Sequence, residues 1–318
     1  MRLKFLAVAL TAFSIPGIVF AQLGADSSSV EPFKLGTFEF DGVQGIGIVL
    51  RDELIVELNA ANDELQRSPS YPAVTMPEDM VGLIGQYEYG LKYRLYEIVT
   101  DLVNNSSLTG RSSPSFIHDV DDVRTLAPLM PGKMLNAAVN FYSHVEEAST
   151  PAEQRAAAER RRATRGIPYL FIKPTEGAVI GQGDEVVIPY GRDRIDWEVE
   201  LAMVIGRTAK YISAADAEDY IFGYMVSLDI SDRGGRPPDS RPGSDWLVGK
   251  GHDTFAPLGP WIVPKEFYGD PMVRLSQRLE VDGDVMQDAG PGDMIHSIYE
   301  ILEYGSSIIT LYPGDVVN

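Results

Sequence analysis

The pattern of apolar and polar positions opens with three segments typical of β-strands. Phe33–Phe40 alternates loosely between apolar and polar residues, and the apolar runs 45–50 and 53–58 are separated by Arg51 and Asp52. Two short apolar runs that flank a two-residue polar turn favour a β-hairpin. We therefore predict a small β-rich N-terminal domain, which with the helix described next extends over residues 22–120.

A long amphipathic helix is predicted for residues 78–103. Apolar residues recur there at spacings of three and four, which places them along one stripe of a helix. The stripe consists of Met80, Ile84, Tyr87, Leu91, Leu95, Ile98 and Leu102. Its aromatic residues are interpreted as core residues rather than as a ligand site.

A second helix is indicated at residues 150–165. Thr150 is a favourable N-cap, Pro151 suits the first helical position, and Glu153 completes a capping box. The cluster 160–162 of three arginines fits either a solvated helix face, which we favour, or an anion-binding site. From residue 166 onward, glycine and proline separate short runs of strand character.

The first 21 residues are predicted to be a secretory signal peptide. Arg2 and Lys4 precede an apolar run from 5 to 20, which ends at Ala21. The run contains Ser14, Pro16 and Gly17 and is shorter than the roughly 20 apolar residues that a membrane-spanning helix needs. We expect a mature chain that is periplasmic or secreted and has no membrane partner.

The charge of the chain narrows the range of partners. Its formal net charge is −19 and it contains no cysteine. An acidic surface repels phosphate backbones, so we expect no nucleic-acid partner. Disulfides, thiolate metal sites and thiol nucleophiles are excluded, and an acidic substrate would need a local cation such as a bound metal.

Alternating carboxylates form the sharpest local signal. In a strand over residues 196–201, Asp196, Glu198 and Glu200 would share one face. Taken alone, this pattern favours an amphipathic strand with its acids in water. Two such carboxylates can also bind a hard cation if a third oxygen ligand is supplied. Asp229, in the apolar run 223–230, is a candidate third ligand or else caps the following turn.

Two further groups have usable chemistry. Lys250 lies between Gly249 and Gly251, where small neighbours allow a substrate to approach the backbone. His144 and Glu147 are three residues apart, which on one helical turn suits a base and its orienting partner. Taken singly, Lys250 also fits an ordinary loop lysine, and His144 and Glu147 also fit a surface histidine beside an acid.

Together these motifs resemble the fumarylacetoacetate hydrolase family. The order and spacing match from about residue 123 to the C-terminus, and the N-terminal part matches more loosely. The matching motifs are 168–174 (PYLFIKP), 196–201 (DWEVEL), 204–206 (VIG), 223–224 (GY), Asp229, 231–233 (SDR), 249–250 (GK), 253–260 (DTFAPLGP), 282–283 (DG), Gln287 and 311–315 (LYPGD). The resemblance implies an α+β fold, a β-rich mixed-sheet roll that forms a catalytic domain over residues 121–318.

The resemblance also implies a metal centre. Glu198, Glu200 and Asp229 match the family's metal-binding carboxylates, which normally hold Mg²⁺ or Mn²⁺. Lys250 matches the active-site lysine beside the metal. The substrate implied is a small 2-oxo acid or its enol.

Other matching positions concern water and substrate. His144 and Glu147 match the water-activating pair of the family's smaller hydrolases, on a segment that closes over the substrate. Arg233 and Arg236 fall where the family places polar substrate contacts. The family usually has glutamine at position 236, so Arg236 is a departure that bears on substrate identity.

The family normally continues after its Pro-Gly-Asp motif into a Thr-Gly-Thr-Pro turn and further strands. This chain stops at Asn318, so the resemblance leads us to expect a catalytic domain without that C-terminal part. Family members commonly form homodimers, and a homodimer is accordingly expected here.

Three functions follow as hypotheses. The first is hydrolysis of a carbon–carbon bond in an acylpyruvate or related β-diketo acid through a metal-stabilised enolate. The second is isomerisation, decarboxylation or dehydration of a related 2-oxo or 2-hydroxy-enoic acid. The third is binding without turnover. His144 favours hydrolysis, because ketonisation of an enol needs no water activated by a dyad.

Overall fold

The computed structural model describes residues 30–105, 108–110, 113–142, 150, 153, 156, 160, 163–236 and 245–318. The predicted signal peptide, residues 1–21, lies outside the described residues. So do His144 and Glu147 and the segment 237–244.

Sixteen strands and seven α-helices have both of their ends within the described residues. The strands are β1 (Phe33–Phe40), β2 (Val43–Leu50), β3 (Leu54–Glu57), β4 (Ile117–Asp119), β5 (Arg124–Thr125), β6 (Met134–Ala137), β7 (Leu170–Lys173), β8 (Val179–Ile180), β9 (Ile195–Asp196), β10 (Val199–Ile205), β11 (Ile221–Leu228), β12 (Ser231–Asp232), β13 (Ala256–Pro264), β14 (Gln277–Val281), β15 (Asp284–Ala289) and β16 (Val316–Val317). The helices are α1 (Leu58–Leu65), α2 (Met80–Gln86), α3 (Lys92–Asn105), α4 (Trp246–Lys250), α5 (Lys265–Tyr268), α6 (Pro271–Arg274) and α7 (Ile298–Ile308).

Twelve strands form one mixed sheet. Its order is β4-β3-β2-β1-β13-β11-β10-β16-β6-β7, with β5 beside β1 and β8 beside β13. The pairs β16–β6 and β13–β8 are parallel, whereas β10, β11 and β13 pair antiparallel. A large mixed sheet with separate helices confirms the predicted α+β class.

The N-terminal strands belong to this sheet. The predicted hairpin is confirmed: β2 and β3 pair antiparallel around Arg51 and Asp52, which have φ of +58° and +60°. Strand β1 continues the sheet into the C-terminal half, because Leu35 pairs with Ile262 of β13. The boundary at residue 120/121 remains a prediction.

The predicted long helix is interrupted. Met80, Ile84, Tyr87 and the rest of the apolar stripe are buried as predicted. However, a π-helical turn at Tyr87–Leu91 separates α2 from α3. Gly90 lies there at φ +120°, a conformation that residues with a Cβ rarely adopt, so one continuous α-helix was the wrong prediction.

The capping box predicted at residue 150 is present. Thr150 N–H donates to a Glu153 carboxylate oxygen over 3.0 Å, and Glu153 N–H donates to the Thr150 hydroxyl over 3.5 Å. Of the following segment, the described residues Glu153, Ala156, Arg160 and Ala163 are helical.

Two hydrophobic clusters surround the centre of the sheet. The larger packs β1–β3 and α1–α3 against β10, β11 and β13, and the smaller packs α7 against the strands β6, β10, β11 and β16. Residues 202–205 of β10 and 221–225 of β11 therefore lie between two packed layers. Within the described part of the chain, we find no helix that is both long and apolar enough to cross a bilayer.

Candidate active site

The predicted carboxylates meet where β10 begins and β11 ends. The strand expected over residues 196–201 is interrupted, because β9 ends at Asp196 and β10 begins at Val199. Across the interruption, Asp229 N–H donates to the Glu198 carbonyl over 2.8 Å. This hydrogen bond holds the two residues opposite each other.

Asp229 lies directly after β11 and is buried. Its Oδ1 accepts from Lys173 Nζ and its Oδ2 accepts from Lys250 Nζ, both over 2.5 Å. Both side-chain oxygens are thus occupied by ammonium groups. The carboxylate belongs to a charge cluster and does not cap the following turn.

Lys250 is the last residue of the short helix α4 and is buried. Asp245 caps that helix by accepting from the N–H groups of Leu247 and Val248 over 3.0 and 3.3 Å. Lys250 Nζ also donates to Glu198 Oε2 over 2.7 Å. It is therefore a positioned helical residue rather than a loop lysine.

Lys173 is a site residue that sequence reasoning passed over. It ends β7, is fully buried, and donates to Asp229 and to the Ile230 carbonyl, the latter over 2.9 Å. A buried lysine is stable only when its charge is paired. The one sign of this role in the sequence is that Lys173 directly follows the apolar run 170–172.

The two predicted substrate-binding arginines differ in their placement. Arg233 Nε donates to Asp196 Oδ2 over 2.8 Å, and its guanidinium also contacts Glu198. Arg236 is exposed and is not among the described residues that line the cavity discussed below. Its predicted contact with substrate stays a prediction.

A second ion-pair cluster supports the turn that follows Arg233. Asp232 is buried and accepts from the Arg192 guanidinium and from Gly234 N–H, the latter over 2.7 Å. His252 Nε2 lies 3.3 Å from the same carboxylate. Asp232 therefore connects β12 with Arg192, which precedes β9, and with His252, which follows α4.

Burial and like charge act together on the carboxylate cluster. Burial, with the nearby charges of Asp229 and Glu198, raises the pKa of Glu200 well above its ordinary value. Burial also raises the pKa of Glu198, although Lys250 opposes the change. Burial acts in the same direction on Asp229, but Lys173 and Lys250 outweigh it and lower the pKa of Asp229.

The donor set suits a hard divalent cation. Glu198, Glu200 and Asp229 offer only carboxylate oxygens, which Mg²⁺ and Mn²⁺ prefer. Glu200 borders the cavity described below, and its carboxylate makes no hydrogen bond or ion pair with any described residue. In the same part, no three acidic or histidine side chains are arranged as ready metal ligands. Lysine and arginine hold the oxygens of Glu198 and Asp229, so the predicted ligand set stays a prediction.

These residues border a cavity of about 330 Å³, a size within the range of small-ligand sites. Its charged lining residues are Glu198, Glu200, Asp229, Asp288, Arg233 and Lys250. The cavity brings the predicted carboxylates, Lys250 and Arg233 together.

A family model, fumarylacetoacetate (FAA) hydrolase C-terminal, matches residues 133–318. This range includes Glu198, Glu200 and Asp229. The chain belongs to the fumarylacetoacetate hydrolase family. A mitochondrial oxaloacetate tautomerase of Bos taurus is 33% identical over 244 residues, which cover 76% of this chain and 68% of the relative.

Solved structures of the family share the fold. Maleylpyruvate hydrolase from Sphingobium sp. SYK-6 is 27% identical with a TM-score of 0.63, over 89% of this chain and 87% of that one. The same hydrolase has a structure in complex with manganese(II) ion and pyruvate. A 5-carboxymethyl-2-hydroxymuconate delta-isomerase from Mycobacterium smegmatis is 27% identical with a TM-score of 0.60, over 89% and 85%. The chain is an enzyme of this family, a hydrolase or an isomerase.

Proposed function

We propose that this family member hydrolyses the carbon–carbon bond between the acyl group and the pyruvyl group of an acylpyruvate. The observation that carries the proposal is the shared contact of Lys250 with Glu198 and Asp229 in one cavity. Such a cluster places a cation and potential metal ligands where an enolate would form. The relative that is a maleylpyruvate hydrolase supports this reaction class.

The reaction breaks a carbon–carbon bond and an O–H bond of water, and it forms a C–O bond and a C–H bond. A water oxygen bonds to the distal carbonyl carbon, and the bond from that carbon to the pyruvyl methylene breaks. The bonding electrons leave as pyruvate enolate, which takes a proton to give pyruvate. The other product is the carboxylic acid of the acyl group.

Lys250 is the residue we assign to the enolate. An ammonium group has three donors, and Lys250 uses two of them on Glu198 and Asp229. The third donor is left for a substrate oxygen, where charge grows during bond cleavage. Lys173 is fully buried, so it positions Asp229 without touching substrate.

Glu198, Glu200 and Asp229 would hold the divalent cation. When bound, Mg²⁺ or Mn²⁺ supplies Lewis-acid polarisation of the substrate's carboxylate and 2-oxo group. His144, oriented by Glu147, is proposed as the base that takes a proton from water. Arg233 would orient the substrate beside Glu198.

The test follows acetylpyruvate in the presence of Mn²⁺ by loss of its enol absorbance, with products identified by NMR. We expect acetate and pyruvate in equal amounts, and loss of turnover in the variants Glu198→Gln and Lys250→Met. Asp284→Asn, an exposed acid of β15 outside the cavity, is the matched control and should retain activity. Equal rates in Glu198→Gln and wild type would refute the proposal.

Isomerisation is the second candidate, and it is favoured by the 33% sequence identity to a relative that is an oxaloacetate tautomerase. The same cluster can stabilise an enolate that is only reprotonated. The products distinguish the two reactions, because isomerisation gives one product of unchanged mass.

We propose a homodimer and a periplasmic or secreted location, to be tested by light scattering and by fractionation of cells.

A further inference from the structure

Besides four amide side chains (Asn140, Gln277, Gln287 and Asn318), the cavity wall has two chemically different parts. One is the charged cluster of Glu198, Asp229 and Lys250, whose members contact each other directly. The other is apolar and continuous with the hydrophobic cluster around α7. Leu201, Met203, Met294, Ile298 and Ile301 belong to this cluster or pack on it, and all five line the cavity.

An aromatic pair borders the charged part. The rings of Phe171 and Trp246, which both line the cavity, stack at 4.6 Å and 23°. Lys250 Nζ lies 5.2 Å from the centre of the Phe171 ring. A substrate bound at Lys250 therefore has a flat apolar surface next to its reacting end.

The charges of the lining do not provide for a second substrate carboxylate. The described lining residues include four acids and two cations. Both cations have protein carboxylates as partners, Arg233 with Asp196 and Glu198, and Lys250 with Glu198 and Asp229, and the proposed function uses both at the reacting end of the substrate. A divalent cation would neutralise the remaining two negative charges, but the described lining residues provide no further cation for a carboxylate at the far end of the substrate. Burying such an unpaired carboxylate is unfavourable.

We propose that the cavity selects 2-oxo acids whose far end is an uncharged, apolar acyl group, and that it discriminates against dicarboxylates of the same shape. This inference rests on the proposed function for the orientation of the substrate. The class of substrate is a short aliphatic or aryl acylpyruvate.

Two ligands that cannot be cleaved test the selection by titration calorimetry with Mn²⁺ present. 5-Methyl-2-oxohexanoate and 2-oxoglutarate have the same shape and differ in an isopropyl group against a carboxylate. We expect the apolar ligand to bind at least about tenfold more tightly, the range in which a misplaced polar group is rejected. Equal or tighter binding of 2-oxoglutarate would overturn the inference.

Two variants locate the effect. Met286 lines the cavity and is 46% exposed, so Met286→Lys adds a cation there without disturbing the core. We expect it to reduce or reverse the preference, while Met286→Leu keeps it. A wild-type preference for 2-oxoglutarate that disappears in Arg236→Gln would identify Arg236 as the partner of the second carboxylate and contradict an apolar selection.

The inference and the proposed function can fail separately. Turnover assays compare 4-methylpentanoylpyruvate with succinylpyruvate, which again differ only in the charged end. Tight binding of the apolar ligand without turnover of any acylpyruvate refutes the hydrolase and supports the selection. Turnover that favours succinylpyruvate supports the hydrolase and refutes the selection.

Discussion

Lys173 provides the most direct test of how the carboxylate cluster is stabilised. Its side chain is fully buried and its ammonium group donates to Asp229 over 2.5 Å and to the Ile230 carbonyl over 2.9 Å. Lys173→Met keeps most of the volume and removes the charge. Asp229 then retains Lys250 alone, while Glu198 still shares that lysine.

The expected loss of stability is large because water cannot replace the missing partner. Removing one partner of a buried ion pair costs about 3–5 kcal/mol, since the other charge remains buried. The orphaned Ile230 carbonyl is part of that loss and accounts for about 1–3 kcal/mol. The folding equilibrium should shift by about two to four powers of ten.

Urea unfolding of metal-free protein at pH 7, followed by circular dichroism, measures this loss. Lys34→Met is the matched control, because Lys34 forms an ion pair of the same length with Asp52, but these side chains are 32% and 60% exposed. An exposed pair contributes at most about 1 kcal/mol. If the two variants lost similar amounts, the reasoning about the buried cluster would be refuted.

Two further predictions concern other parts of the fold. Asp232→Asn should destabilise the protein by about 3 kcal/mol at pH 7 through loss of the buried pair with Arg192. Burial raises the pKa of Asp232, but the hydrogen bonds and the charge of its partners, Arg192 first among them, outweigh burial and lower this pKa. The wild-type advantage should therefore be full above the unfolded pKa of about 4 and should vanish as pH falls through the folded pKa, so an advantage in urea titrations that does not decline below pH 4 would contradict the assignment. Gly90→Ala should lower the free energy of unfolding by about 1–3 kcal/mol, because alanine is strained at φ +120°. Gly85 lies within α2, and a Cβ added there would have no neighbour closer than 4.0 Å. Gly85→Ala should therefore raise the free energy of unfolding by up to about 1 kcal/mol. Losses of the same size in both variants would show that the backbone conformation of Gly90 is not the cause.

The site could be predicted from the sequence as far as local periodicity and family motifs reach. Alternation in 196–200 and the isolated Asp229 in an apolar run led to three carboxylates that do border one cavity. The interruption before Val199 could not be predicted, because the segments on its two sides pair with different strands, β9 with β12 and β10 with β11. Such pairing is set by the sheet and leaves no mark in the local pattern.

Lys173 and Gly90 show two other limits. The partner of Lys173 lies 56 positions further along the chain, so local reasoning interprets the lysine as a strand end. Around Gly90 the apolar stripe is continuous, and a π-helical turn keeps its residues on the buried side. Periodicity thus predicted which residues are buried but not that the helix is broken.

The lysine partners of the carboxylates bear on whether the chain folds before or after it binds a metal ion. Many metal sites bring like charges together and leave folding dependent on the ion. Here the ammonium groups of Lys173 and Lys250 compensate the charges of Asp229 and Glu198, so we expect the chain to fold before any ion binds. On the ligand set that we propose, an ion that binds later would share the carboxylates of Glu198 and Asp229 with these ammonium groups. Competition with these lysines, and not a contribution to folding, would then determine which ion the enzyme acquires.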